Sequence, residues 1–431
     1  MQVLKTSCKP KTRARFSTVA SCCFICLEVI MMKIPHFLQP FIPSQDMAWN
    51  RLAVSFGMFI VGIIFASWAS RIPDVKAMLS MTDAELGFTL FATPIGQIPS
   101  MVVTPMLVKR FGSRILIVLA TLGYATMLVA LGFVTSKTQL FLVLITFGVF
   151  NNMMSICNNA QAVAVENLYR RSIMAKFHGC WSLGGVVGGL LGGLMAGWDV
   201  APKWHFMVLW VMAVLIAYFC WHHLMKVDPQ PQVAHTGLTR HRWVMPDALL
   251  IVLGIIGFGS MAVEGSMYDW NSVYFVSVLH EEGFEARFGY LACMIFMVSA
   301  RFIADGFINR YGEVVVLRVS SLSMTVGLAM LVFFPSLWPA MIGSAFVGFG
   351  MAAVVPICFS MAGRSARVSA STAISMVTAI SFLGFLLGPP VIGTVSEHVG
   401  LRGAFGLVMG APLIVLILST RLHNLAPKKI G

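Results

Sequence analysis

A few polar residues stand inside long apolar runs, and these are the residues that could do chemistry. At 100° per residue, Glu264 shares a helical face with Gly257, Ser260, Tyr268 and Asn271. A charged side chain at membrane depth costs about 2.5–3.5 kcal/mol on insertion scales, so it needs a task or a partner. The stripe suits a cavity wall on which Glu264 holds a solute or exchanges a proton. The same carboxylate could instead cap a neighbouring helix or bond tyrosine and serine. Arg301 and Asp305 lie one turn apart and can pair along their helix, as a gate, a solute contact or a static bridge. Counted at 1.5 Å per residue, Arg301 lies about 10 Å deep and Glu264 about 25 Å, so a direct bridge between them is not expected.

A second group is uncharged. Asn151, Asn152, Ser155, Asn158 and Asn159 fall within an arc of about 120°. Amides both donate and accept, as hydroxyl-rich solutes require. They serve equally well as hydrogen bonds between helices. His178 is the side-chain type that changes charge near neutral pH, or else a packing residue.

The elements that must position these residues are membrane spans. The chain has 431 residues, 58% hydrophobic and 11% charged, with mean hydropathy +0.84. A soluble domain carries about 25% charged residues, so too little polar surface exists here to coat a globule in water. Spans of about 20 apolar residues are expected near 50–70, 84–107, 115–135, 139–164, 173–197 and 204–222. A second set is expected near 247–275, 287–308, 314–334, 337–362, 370–395 and 403–421. The expected organisation is an N-terminal extension over 1–46, a six-helix bundle over 47–222, a polar linker over 223–246, a second bundle over 247–422 and a tail over 423–431. No small-x-small cleavage site follows the basic, apolar start, so 1–46 should lie outside the fold, and its deletion should leave insertion unchanged.

The net charge of +13 does not point to nucleic acid, because the basic residues sit in short loops between apolar runs. Sixteen Lys and Arg fall in one set of loops and the C-terminal tail, and six in the opposite loops. That asymmetry predicts cytoplasmic termini in a bacterial inner membrane. Cys22-Cys23-x-x-Cys26 lacks a second ligand pair, so no metal and no cofactor are expected. The motifs HExxH, GxSxG and a phosphate-binding P-loop are absent, which argues against an enzyme and against ATP as driver.

The halves align on a shift of 200 residues. Lys109-Arg110-Phe111-Gly112 falls on Asn309-Arg310-Tyr311-Gly312, Gly148 on Gly348, Leu183-Gly184 on Leu383-Gly384, and Gly188 on Gly388. A parallel six-helix repeat is one way to build alternating access around a midplane site. With these segments on the page, the chain resembles the major facilitator superfamily, and more closely its YbjJ- and MosC-like branch. Ser67-Trp68-Ala69-Ser70-Arg71-Ile72-Pro73, His178-Gly179-x-x-Ser182-Leu183-Gly184, Glu264-Gly265-Ser266-x-x-Asp269-Trp270 and Gly388-Pro389-Pro390 carry the branch likeness.

The resemblance implies an all-α twelve-helix transporter, with Lys109, Arg110, Gly112, Arg114, Asn309, Arg310 and Gly312 in its gating loops. Together with the polar faces described above, it leaves as solute or coupling candidates Glu264, Tyr268, Asp269, Asn271, Arg301, Asp305, Asn151, Asn158, Asn159, Gln161 and His178. Lys109 and Asn309 stand where the superfamily usually has Asp, Gln161 stands where the branch has Glu, and helix four lacks an Arg that many proton-coupled members carry. The implied cargo is a small polar solute, sugar- or cyclitol-like, moved by a monomer with protons as a possible partner. Efflux of amphipathic drugs, or a transport-silent sensor, are the alternatives.

Overall fold

The computed structural model describes residues 45–169, 173–226, 245–364, 368 and 370–425. Most of the extension, linker and tail, with the cysteines near residue 22, lies outside those residues. The first half runs α1 (Gln45–Met78), α2 (Asp83–Leu90), α3 (Ala92–Phe111), α4 (Ser113–Leu131), α5 (Lys137–Tyr169), α6 (Met174–Gly197) and α7 (Pro202–His223). The second runs α8 (Ala248–Ser277), a short 3-10 turn (Glu285–Arg287), α9 (Phe288–Tyr311), α10 (Glu313–Phe333), α11 (Leu337–Ala362), α12 (Ala370–Val408) and α13 (Gly410–Leu425).

Eleven helical stretches among the described residues are long and apolar enough to cross a membrane. One of them, Thr372–Thr420, has 49 residues. At 1.5 Å per residue that is about 74 Å, more than twice a hydrocarbon core of about 30 Å. It is broken at Gly400, whose φ of 73° ends one crossing and starts the next. The expected twelve crossings are therefore present. The second crossing differs from the expected single helix: α2 gives way to α3 at Phe91, which is the C-cap of one and the N-cap of the other. Pro389 and Pro390 do not break α12, in which Gly400 is the non-helical residue.

The repeat seen in the sequence is a repeat of packing. Gly148 meets the Thr93 carbonyl, setting α5 against α3; Gly348 meets the Cys293 carbonyl, setting α11 against α9 in the same way. Gly184 lies on the Phe59 carbonyl and Gly384 on that of Phe258, so α6 crosses α1 as α12 crosses α8. Small residues permit this backbone approach, which drives helix association in lipid. Gly112 and Gly312 share a third role: at φ 81° and 85° they turn α3 into α4 and α9 into α10.

A β-carbon at Gly148 has no room to enter, whereas nothing lies within 4 Å of one at Gly306. Gly148→Ala is therefore expected to destabilise by about 1–3 kcal/mol, the usual range for overpacking. It should lower the melting temperature and the yield of detergent-purified protein, while Gly306→Ala leaves both unchanged.

Candidate functional site

The two halves meet at mid-depth through one polar network. The Tyr268 hydroxyl donates to Glu264 Oε1 at 2.7 Å, along one turn of α8. Arg301 on α9 brings Nη2 to 3.7 Å from the same oxygen and donates from Nη1 to Ser182 Oγ on α6 at 3.4 Å. The Tyr268 ring stands edge-on to Phe65 of α1, with centroids 5.2 Å apart, and Phe65 lies 6.4 Å from Trp181 of α6. Glu264 and Tyr268 thus sit on the second half against an aromatic wall supplied by the first. The Glu264 side chain is 13% exposed and that of Arg301 36%, so the cation is the more open of the two and the anion is enclosed.

This arrangement corrects the expectation that Arg301 and Glu264 are too far apart to meet. Helix α9 continues to Tyr311, which places Arg301 ten residues, about 15 Å, from its end. Glu264 is about 24 Å along α8. An arginine stem closes most of the difference while its charged head reaches toward polar surroundings. The alternative pair is not formed: Asp305 is exposed and makes no ion pair among the described residues.

The asparagine stripe is largely occupied by packing. Asn151 Nδ2 donates to Tyr124 Oη at 2.5 Å, Asn152 to the Gln97 carbonyl at 3.0 Å and Asn158 to the Gly57 carbonyl at 3.3 Å. Asn271 donates to Ser344 Oγ at 3.0 Å and joins α8 to α11, away from the Glu264 network. Gln161 holds the end of α7: its Nε2 donates to the Met225 carbonyl and its Oε1 accepts from the Met225 amide, each at 3.1 Å. Asn159 is half-buried and Ser155 exposed. His178 is exposed one turn before Ser182 and close enough to Arg301 for their charges to interact.

A second cluster closes one end of the bundle. Asp74 takes Arg71 of its own helix at 3.3 Å and Arg287 of the other half. Arg287 also donates from Nε to the Ser70 carbonyl at 3.0 Å and from Nη1 to the Gly283 carbonyl at 2.7 Å. Arg71 donates to the Val200 carbonyl at 2.6 Å. The two arginine side chains are 2% and 3% exposed. Beside them, Asp83 takes both Lys76 and Ser396 of α12, and the Ala84 amide donates to Glu397 at 3.3 Å. By charge alone Arg71 and Arg287 count among the loop cations, and Arg71 also falls in the Ser67–Pro73 segment of the family likeness. The available signal was Arg71-x-x-Asp74 inside a helix of 34 residues, longer than one crossing needs.

The gating-loop residues lie at the opposite end, and among the described residues the bonds shown for them stay within their own halves. Arg114 donates to the Trp221 carbonyl and stands over its ring, and Arg364 pairs with Glu313. Lys109, Arg110, Asn309 and Arg310 are exposed, with Arg110 over Phe111 and Arg310 over Tyr311 in matching fashion. Among the described residues, the hydrogen bonds that join the halves therefore gather at the Asp74 end and at mid-depth.

Known proteins agree with this plan. The family model for the Major Facilitator Superfamily matches residues 47–337 and 288–430. An uncharacterised MFS-type transporter of Yersinia pestis is 31% identical over 83% of this chain and 92% of its own length. Membrane protein MosC of Rhizobium meliloti is 30% identical over 84% and 88%. Among solved structures, a bacterial homologue of the human lysosomal transporter Spinster, inward-facing and occupied, superposes with TM-score 0.70 at 15% identity, over 90% of this chain and 98% of that one. The nucleoside transporter NupG does so with TM-score 0.70 at 13% identity, over 88% and 99%. Matched across both halves by the family model and by relatives over most of its length, the chain belongs to the major facilitator superfamily and is a multi-pass membrane transporter.

Proposed function

We propose that the protein is a secondary transporter that carries a small polar solute, sugar- or cyclitol-like, by alternating access, and that the solute binds at the Glu264–Tyr268–Arg301–Ser182 network. The observation that carries this reading is Arg301, which reaches Glu264 in its own half and Ser182 in the other at mid-depth. A solute that replaces either contact senses the relative position of the halves, which is what alternating access requires. The carboxylate accepts, the guanidinium donates, and the tyrosine and serine hydroxyls do both. That mixture suits a solute rich in hydroxyls, and Trp181 and Phe65 supply flat apolar surface for a ring. The same aromatic wall favours amphipathic drugs as the second reading.

The charge count supports cytoplasmic termini in a bacterial inner membrane. The Asp74 cluster then closes the periplasmic side, and exposed His178 marks the approach from the cytoplasm. A fluorescent protein fused after Arg421 is expected to glow and alkaline phosphatase fused there to stay inactive. The opposite pattern would reverse the assignment of both ends.

Substrate class is tested by a thermal-shift screen of purified protein against sugars, cyclitols, amino acids and drugs, followed by counterflow in proteoliposomes. Expected is a hydroxyl-rich compound that stabilises the wild type and exchanges across the bilayer, with Arg301→Ala losing at least tenfold in apparent affinity. Stabilisation by hydrophobic drugs alone would select the efflux reading.

A further inference from the structure

Helix α8 carries two carboxylates at membrane depth, and their surroundings differ. Glu264 has a cation and a hydroxyl beside it, Arg301 at 3.7 Å and Tyr268 at 2.7 Å. Asp269, five residues further toward the Asp74 end, is half-buried and has no hydrogen bond or ion pair among the described residues. Near it stands Tyr290 of α9, close enough for their charges to interact. The Tyr290 side chain is fully buried, and its hydroxyl has no hydrogen-bond partner. Its ring faces Gly189 of α6, so this phenol stands where the two halves meet.

Among the described residues, no cation on the elements packed around α8 is paired with Asp269. On α9, Arg301 is engaged with Glu264 and Ser182, and Cys293 is a buried thiol. In the 3-10 turn, Arg287 is held by Asp74, as is Arg71 across the interface. On α12, Glu397 takes the Ala84 amide, His398 bonds the Thr394 carbonyl and Arg402 donates to the Val332 carbonyl. On α8 itself, Tyr268 is bound to Glu264 and Tyr274 to the Leu331 carbonyl. Helix α11 has no Asp, Glu, Lys, Arg or His, and α13 carries its Arg421 and His423 in its last five residues.

A carboxylate with no counter-charge at this depth has one cheap route to neutrality, which is a proton. We propose that Asp269, paired with the Tyr290 hydroxyl, is the proton-binding site of this transporter, and that Glu264 is instead a fixed counter-ion to Arg301. The step is a bare protonation. The Asp269 carboxylate takes a proton from water on the side open to it, one O–H bond forms, and that bond breaks when the site faces the other side. Tyr290 Oη can accept from the acid or donate to the carboxylate, so it stabilises both forms. The proposal rests on the secondary-transport reading for its purpose, but its test needs no solute, so the two can fail separately.

The test is infrared difference spectroscopy of the full-length protein in lipid at neutral pH, in H2O and D2O. Expected is the carbonyl stretch of a protonated carboxylic acid that shifts in D2O, disappears in Asp269→Asn and persists in Glu264→Gln. Absence of the band from the wild type, or its survival in Asp269→Asn, would overturn the assignment. Should Asp269→Asn fail to fold, dicyclohexylcarbodiimide labelling of the wild type followed by peptide mass spectrometry decides the matter. That reagent couples to protonated carboxyls in apolar surroundings, so an adduct on Asp269 is expected. An adduct on Glu264 instead, or on neither, rejects the proposal.

Discussion

Asp74→Asn is expected to open the end of the transporter that the wild type holds shut. Asp74 is the one acidic partner shown for both Arg71 and Arg287, whose side chains are 2% and 3% exposed. Removing the shared carboxylate leaves two guanidinium groups enclosed, near each other and without a counter-charge. Breaking a buried pair by deleting one partner costs about 3–5 kcal/mol, mostly the cost of the charge left behind. Asp74 is 28% exposed, so water relieves part of this and the lower bound applies. The cost falls only on the closed arrangement, because separation of the halves lets Arg287 reach water. A bias of about 3 kcal/mol shifts a two-state equilibrium by roughly a hundredfold. Ala286 is fully buried beside Arg287, so Ala286→Cys reports the opening. Its labelling by an impermeant maleimide should rise at least tenfold in the Asp74→Asn background. Unchanged labelling would mean that Asp83, Ser396 and Glu397 hold this end without Asp74.

What the sequence made legible was what has a period. Helix number, the two halves and the turns at Gly112 and Gly312 follow from apolar run lengths and from a shift of 200 residues, because each lies in local composition or in repetition. The polar face of Glu264 with Tyr268 follows from helical spacing on a single element. The link from Glu264 to Arg301 does not. It depends on where α9 ends, on helix tilt and on a long side chain, and counting residues gives only height along separate axes. The Asp74 cluster was hidden for a related reason. Arg71 and Arg287 lie 216 positions apart, and each alone looks like an ordinary charge at a span end. The asparagine stripe shows the reverse: helical spacing sets the arc on which the amides stand, yet which neighbour each meets is a tertiary fact, and packing takes Asn151, Asn152 and Asn158.

Glu264→Gln is expected to cut transport at least tenfold while leaving the fold nearly intact. At 3.7 Å, with Arg301 36% exposed, the pair contributes to stability on the scale of an exposed salt bridge, about 1 kcal/mol or less. Its value lies in orientation. Arg301 is held between Glu264 and Ser182, and Tyr268 is fixed by donating to the same carboxylate. Glutamine can still accept from Tyr268 but no longer attracts the guanidinium, which is then free to swing toward the exposed side. Two outcomes separate the roles open to this residue. If Glu264 were the proton carrier, Glu264→Gln would keep solute exchange at equal pH and lose only accumulation driven by a proton gradient. As counter-ion to Arg301 it should lose both, with exchange and gradient-driven uptake each falling at least tenfold for the solute that the wild type carries. Arg301→Gln should fall equally, and the double variant should fall no further than either single one, because one interaction has been removed twice. Additive losses in the double variant would show that Glu264 and Arg301 act on the solute independently.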